Sequence, residues 1–375
     1  MRRKWPMGLV VLCVLSAVAA ASGAEEGGDE GPRFIESSLF PVQVVSNSNL
    51  GQALGWPSFL AGSVPQVHAL WMTHTTEGLS MNEQGQLSFS QIPCFEALAR
   101  PVDSGELKVE SRPQSEGEAD LRPGVARFGP SDGTALVVHH AVVRRQLHNV
   151  SSMPSALYIA PPGTEREDWT QLHTSPPDVK DAAWMPGFRN AVVMTVTEAG
   201  AEGGRREHRL AILDVSGRTL REIGPPGLYS ASVSPDGRVI YATGLLRPSD
   251  VSGQTFGRES NTGEIGGVFA VDVSSGNTTQ LYAMPVQFGA TDNGLAISPD
   301  GVYLVLPVVA AERLGGGEYR VTSRLMIART DGSAWTYLTD VHEGMDSGPD
   351  WSPGGSYLCY SEDGDIRALR LSREE

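Results

Sequence analysis

Three near-copies of one ten-residue string, apolar β-type stretches on both sides of each, and a second turn at a matching offset predict an all-β chain. The expected architecture is a six-bladed β-propeller of four-stranded antiparallel blades, closed by an N-terminal strand. The copies are SPDGRVIYAT at 234–243, SPDGVYLVLP at 298–307 and SPGGSYLCYS at 352–361.

The first copy shows why the string is a hairpin turn. Pro235 presets φ near −65° for the second position of a type I turn, Asp236 suits the third, and Gly237 closes the fourth. Before it, Tyr229 to Val233 alternates; after it, Val239, Ile240 and Tyr241 are β-branched and aromatic, so both flanks read as strands. Weaker copies stand upstream at 128–140 and 184–195, and the anchoring prolines are Pro130, Pro186, Pro235, Pro299 and Pro353. Their spacings of 56, 49, 64 and 54 residues exceed the roughly 40–45 of short-bladed propellers, which implies extended loops.

Each copy is followed by a second hairpin. Residues 156–172, 208–223, 267–282 and 324–339 each hold two alternating strands around Pro-Gly, Ser-Gly, Ser-Gly-Asn or Asp-Gly-Ser turns. Each period therefore carries four strands. One period back, residues 56–93 supply another blade with a Gly-Ser-Val-Pro turn and an Asn-Glu-Gln-Gly hairpin. The last period has room for only about three strands, and LFPVQVVS at 39–46 is expected to supply the fourth, leaving no exposed edge. Residues 94–124, rich in Glu, Ser, Pro and Gly, read as an insertion or linker, and 25–38 as a disordered acidic N-terminus. Residues 39–375 then form one propeller domain.

The stretch TDGSAWTYLTDVHEGMDSGPDWSPGGSYLCYSEDGDIRAL at 330–369 resembles the repeat of the TolB-like six-bladed propellers. In that family an Asp-Gly-Ser hairpin ends in Leu-Thr and a loop leads to a Trp-Ser-Pro-Asp-Gly turn. The resemblance covers about residues 125–372. It implies the fold, and for function it implies a recognition scaffold of the cell envelope; the wider family also holds peptidase propellers and lyases.

Compartment follows from the first residues. Arg2, Arg3 and Lys4 precede an apolar run over 7–21, and Ser22-Gly23-Ala24 ends in a small-x-small pattern, so 1–24 read as a secretory signal peptide cleaved after Ala24. The run is shorter than the roughly 20 residues a membrane span needs. The formal net charge is −15, and removing a segment with three positive and no negative residues leaves −18. Such a surface has no basic stripe to displace counterions from phosphates, which excludes nucleic acid as the expected partner. The expected form is a periplasmic or secreted monomer that holds no cofactor.

The mature chain keeps Cys94 and Cys359, which ring closure would bring into neighbouring blades; they either bridge or stand as buried thiols. Gly129-Pro-Ser-Asp-Gly133 matches G-x-S-x-G, but Ser131 lies in a strand-to-strand turn where a nucleophile elbow needs strand-to-helix, so no catalytic residue is assigned. Acidic and aromatic residues gather where inner strands begin: Asp181, Tyr229, Asp292, Asn293, Asp346, Asp350 and Trp351. With His139, His140 and His342 they are the candidate lining of an axial funnel able to orient a peptide, sugar or cation through carboxylates and rings. The alternative for the tryptophans is packing between blades, and for the aspartates turn capping. No metal-ligand spacing such as His-Glu-x-x-His occurs, and no metal is expected. The favoured function is protein or peptide binding; the alternative is a lyase- or glycosidase-type enzyme, whose mark is a His and a carboxylate, or two carboxylates, converging at the funnel mouth. Mass spectrometry of the exported protein should find Glu25 as its first residue, and an intact Met1 in the exported form would overturn the leader assignment.

Overall fold

The computed structural model describes residues 34–40, 58–59, 67–72, 79–81, 87–89, 94–100, 108–113, 121–128, 134–141, 155–161, 168–174, 177–186, 191–198, 207–260, 262–284, 294–315, 318–344, 346–362 and 365–373. All regular structure among them is β, apart from 3-10 turns at Pro248–Asp250 and at Asp168. Among the described residues no helix is long and apolar enough to cross a membrane.

The strands form antiparallel sheets of four, taken up in sequence. β1 (Phe34–Phe40) belongs to the last sheet. The first sheet is β2 (Ser58–Phe59) and β3 (Val67–Met72), then β6 (Cys94–Arg100) and β7 (Lys108–Pro113), with a separate hairpin of β4 (Leu79–Met81) and β5 (Leu87–Phe89) in between. The second is β8 (Leu121–Phe128), β9 (Ala135–Ala141), β10 (Ser155–Ala160) and β11 (Thr170–Thr174). The third is β12 (Asp178–Trp184), β13 (Ala191–Glu198), β14 (Glu207–Asp214) and β15 (Thr219–Ile223). The fourth is β16 (Leu228–Val233), β17 (Val239–Leu246), β18 (Ile265–Asp272) and β19 (Thr278–Met284). The fifth is β20 (Ala296–Ile297), β21 (Tyr303–Gly315), β22 (Glu318–Arg329) and β23 (Trp335–Tyr337), and β24 (His342–Glu343) also pairs with β22. The sixth is β25 (Asp346–Trp351), β26 (Tyr357–Glu362) and β27 (Asp365–Arg373), completed by β1. Each sheet touches the next, and β25 of the sixth touches β2 of the first.

Successive sheets bury their faces against one another. Val179, Ala182, Val192 and Met194 pack on Leu136, Val138 and Leu157, while Val193 and Leu210 on the opposite face pack on Leu228, Ile240 and Phe269. Further along, Ile240 faces the third sheet and Tyr241 the fifth; Leu304 and Leu306 face the fourth sheet and Val305 the sixth. A strand with a sheet on each side has no solvent face, which is why VIYATGLL and YLVLP run apolar where a half-exposed strand would alternate.

The repeated turn is held by its serine. Ser234 Oγ donates to Asp236 Oδ1 at 2.6 Å and accepts the N–H groups of Arg238 and Val239 at 3.1 and 2.9 Å. Ser298 makes the same bonds to Asp300 and Tyr303, and Ser352 Oγ accepts Tyr357 N–H at 3.0 Å. Gly237, Gly301 and Gly355 sit at φ of 71°, 75° and 70°, the left-handed region that favours glycine. The turns also stack. A methyl group on Gly301 would lie 3.0 Å from Pro235 Cδ, and one on Gly355 3.7 Å from Pro299 Cδ, so each proline lies beside the next repeat's glycine.

Three expectations are corrected. The closing strand is Phe34–Phe40, paired with β27 from Phe34↔Arg373 to Phe40↔Ala368, so it begins inside the stretch read as disordered and ends near the start of 39–46. Residues 94–124 are not an insertion: β6 and β7 complete the first sheet and β8 opens the second. Charged residues hid the period-2 pattern of Phe95, Ala97 and Ala99. The Asn-Glu-Gln-Gly turn joins β4 to β5, off the sheet it was assigned to. The loop after β17 lies along the fourth sheet: Ser252 N–H donates to Thr278 O at 2.7 Å and Phe256 N–H to Gln280 Oε1 at 2.6 Å.

Gly253 shares the positive φ (85°) but has open space where a methyl would go. Gly301→Ala should therefore lower the urea midpoint more than Gly253→Ala, whose cost is the backbone term of about 1–2 kcal/mol alone. Equal losses would show that Pro235–Gly301 stacking adds nothing.

Candidate functional site

The sixth sheet brings two carboxylates and an imidazole together. β25 and β26 pair as Trp351↔Leu358 and Asp350↔Cys359; an irregularity then shifts the register, so Ser347 meets Ser361 and Asp346 meets Glu362. Two carboxylates thus stand directly opposite on adjacent strands, where like charges repel. His342, four residues before Asp346, is fixed by the pairing of β24 with β22, opposite Ser323. Its Nε2 lies 3.1 Å from Asp346 Oδ1. One ligand atom each from His342, Asp346 and Glu362 lie within 4.8 Å of one another.

Burial sets the electrostatics. Asp346 is 0% exposed, whereas the side chains of His342 and Glu362 are each 26% exposed. Although Nε2 is in ion-pair range, neither oxygen of Asp346 has a hydrogen-bond partner among the described groups. Loss of water pushes the Asp346 carboxyl up to about 6; His342 opposes the shift and the charge on Glu362 reinforces it. Glu362 itself is well held: Arg367 Nη2 donates to Oε1 at 2.9 Å and the Tyr360 hydroxyl to Oε2 at 3.3 Å. Burial drives the Tyr360 hydroxyl far above its ordinary range, so it stays a donor.

Ser323, His342 and Asp346 share the composition of a hydrolase triad without its geometry. Ser323 Oγ lies 3.4 Å from Nε2, the same nitrogen that faces Asp346, whereas a relay needs the hydroxyl and the carboxylate on opposite ring nitrogens. Ser323 is 1% exposed and its Oγ accepts the Asp346 N–H at 2.8 Å, a structural bond between sheets.

The remaining sequence candidates scatter. Asp181 is buried in β12, with Oδ1 accepting the Ala182 N–H at 2.8 Å. Tyr229 is buried with its ring edge-on to His208, centroids 4.5 Å apart, and His208 Nδ1 lies 3.1 Å from Thr197 Oγ1. Trp351 packs in the core between the fifth and sixth sheets, and Trp184 is half-buried against the second-sheet core, which is the packing alternative for both. Asp350 is half-buried beside Trp351. The backbones of His139 and His140 lie in β9; their side chains, Asp292, Asn293 and Ser131 lie outside the described residues. Cys359 is buried in β26, and the side chain of Cys94, at the start of β6, is likewise outside them. Among the funnel candidates whose side chains the structure describes, it brings His342 and Asp346 into contact and adds Glu362, which the sequence reading missed.

No family model matches the chain, and no curated protein matches it. Solved structures similar to it include one titled as the crystal structure of a nidogen/laminin complex, at 10% identity and TM-score 0.46, covering 83% of this chain and 86% of that one. Another is titled as the crystal structure of a mitotic checkpoint complex, at 11% identity and TM-score 0.40, covering 95% and 99%.

A neutral Asp346 is favoured by the fold, so the sign of its pH effect is fixed. With the folded value raised above the ordinary one near 3.8, the stability tied to this group is fully present below about pH 4 and is lost as the pH rises through about 6. In chelator-treated protein, Asp346→Asn should gain on the wild type in urea midpoint between pH 4 and 7. A constant gap over that range would overturn the assignment.

Proposed function

We propose that the chain is an exported, non-catalytic recognition scaffold: a closed six-bladed propeller of TolB-like type that binds a protein or peptide in the periplasm or outside the cell. Support for the closed ring comes from the order of sheet contacts and from β1 completing the last sheet. Support for export is the leader-like 1–24, and for TolB-like kinship the repeat at 330–369.

One observation carries the binding reading. β21 and β22, 13 and 12 residues long, outrun their neighbours: β20 pairs with β21 only at Leu304 and Val305, and β23 and β24 pair with β22 at Met326–Ala328 and Thr322–Ser323. Beyond Val305 no strand among the described residues covers the outer edge of β21. An unpaired edge offers a row of N–H and C=O groups to which an extended peptide can add as a strand. At the tip Leu314 is 55% exposed, and Val341, beside His342, is 56% exposed. A salt bridge between Arg320 and Glu312 stiffens the arm across its width.

The convergence of His342 with two carboxylates meets the condition set for an enzyme. Asp346 argues against that use, because a 0% exposed carboxylate cannot touch a sugar ring.

A photo-crosslinking residue in place of Leu314 should capture one defined envelope or secreted protein in cells, whereas the same residue at Val341, across β22 from that edge, or at Leu220, exposed on β15, should not. Capture should vanish when 310–320 are replaced by a two-residue turn. Equal capture at all three positions, or none at Leu314, would overturn the assignment of the arm.

A further inference from the structure

Asp346 presents a physical problem that nothing on the scaffold reading requires. It is 0% exposed, neither oxygen has a hydrogen-bond partner among the described groups, its charged contact there is His342 at 3.1 Å, and its direct cross-strand neighbour is another carboxylate. A dry carboxylate compensated by one partly exposed imidazole is costly in folding. Such groups are kept where a proton, an ion or a function answers for them. Arg367 compensates Glu362, not Asp346: its Nη2 bonds Glu362 Oε1, and no cationic side chain except His342 contacts the Asp346 carboxylate among the described residues. We propose that His342, Asp346 and Glu362 together bind one divalent transition-metal ion, zinc being the ion that their donor set suits best.

The donor set narrows the ion. One imidazole nitrogen with two carboxylates is a borderline site, suited to zinc and its neighbours, whereas calcium and magnesium prefer six or more oxygens. Around a tetrahedral zinc ion, bonds of about 2.0–2.2 Å put neighbouring ligand atoms about 3.4 Å apart. His342 Nε2 and Asp346 Oδ1, 3.1 Å apart, already stand near that separation, and the 4.8 Å spread of the three atoms closes to it by side-chain movement. Backbone structure supplies the preorganisation: Asp346 and Glu362 are held by register, and His342 by the pairing of β24 with β22. The Asp346 N–H bond to Ser323 Oγ fixes the strand start, and Arg367 and Tyr360 orient Glu362 from behind, as outer partners of ligating carboxylates do. Three protein ligands leave a fourth position. Because His342 and Glu362 are each partly exposed, that position is open to water or to a donor group of a bound molecule. The site joins the fifth sheet to the sixth whether or not the arm binds a peptide, so the two readings stand or fall separately.

The test uses the purified chain, stripped with chelator and titrated with zinc by calorimetry. One equivalent should bind and raise the thermal transition; His342→Gln and Glu362→Gln should each weaken that binding at least tenfold while keeping a cooperative urea transition in chelator. An anomalous-difference map of zinc-loaded crystals of the wild type needs no variant and should find the ion about 2.0–2.2 Å from the three named atoms. Absence of binding by the wild type, undiminished binding by both variants, or an ion bonded elsewhere would each overturn the proposal. Metal binding without crosslinking at Leu314 would leave this site standing and remove the peptide-binding arm.

Discussion

The serine hydroxyl of the Ser-Pro-x-Gly turn is the interaction on which the rest of the chain depends. A tight turn between two buried strands leaves backbone N–H groups without ladder partners. One hydroxyl takes two of them at Ser234, and the next residue, proline, has no N–H to satisfy. The turn is thus closed from within by side chains its own sequence supplies. Stacking of Pro235 beside Gly301 and Pro299 beside Gly355 then sets each sheet's spacing from the next, so one string specifies both a hairpin and its neighbour's position.

Serine hydroxyls also join the sheets along their inner strands. Gly294 N–H donates to Ser230 Oγ and Ile297 N–H to Ser232 Oγ across the fourth-to-fifth junction, and Asp346 N–H to Ser323 Oγ across the fifth-to-sixth. A strand that starts a new sheet has lost its former ladder partners. A hydroxyl from the preceding sheet replaces one of them at a net gain of roughly 1 kcal/mol each. Ser230 adopts φ 43°, a conformation costly for a non-glycine residue, which the junction holds in place. Junctions are therefore where backbone is least regular and where unlike strands come closest. The cluster of His342, Asp346 and Glu362 sits at such a junction, and the irregularity in β25 is what creates it.

Legibility in the sequence follows the same division. Turn chemistry is local, so Ser234-Pro-Asp-Gly237 and its copies announced the strand pairs from residue 155 onward, and those pairs are present. Strands whose identity depends on distant partners were harder. β6 and β7 carry Glu96, Lys108, Glu110 and Arg112, so their composition read as linker although the two strands pair in register. β1 was displaced because nothing in FIESSLF says which strand it completes, only that one is missing. In the site, His342 and Asp346 were visible as residues at the entry to an inner strand. Glu362 was not, because its position opposite Asp346 depends on the register shift near Gly348, whose φ is 57°. Tyr229 and Trp351 misled for another reason: an aromatic residue at a strand start is equally suited to a funnel wall and to the core between sheets, and only packing distinguishes the two.

The arm and the cluster pose opposite problems for a β-rich chain and are answered differently. An edge that no described strand covers beyond Val305 would risk pairing with another copy, and β21 carries two safeguards. Pro307, opposite Leu325, removes one N–H, and the charged pair of Glu312 and Arg320 sits on the projecting part. Neither safeguard extends to Leu314, which leaves a short, selective edge at the tip. The cluster risks the reverse: two carboxylates pushed together in a dry place weaken the last sheet, the one that β1 completes. Protonation relieves this at low pH and a cation would relieve it at neutral pH, so a ligand that stabilises the junction also stabilises the sheet in which β1 pairs with β27. The stability of the sixth sheet and the occupancy of the cluster are then one equilibrium, because an ion that binds only the folded site shifts folding by its own binding free energy.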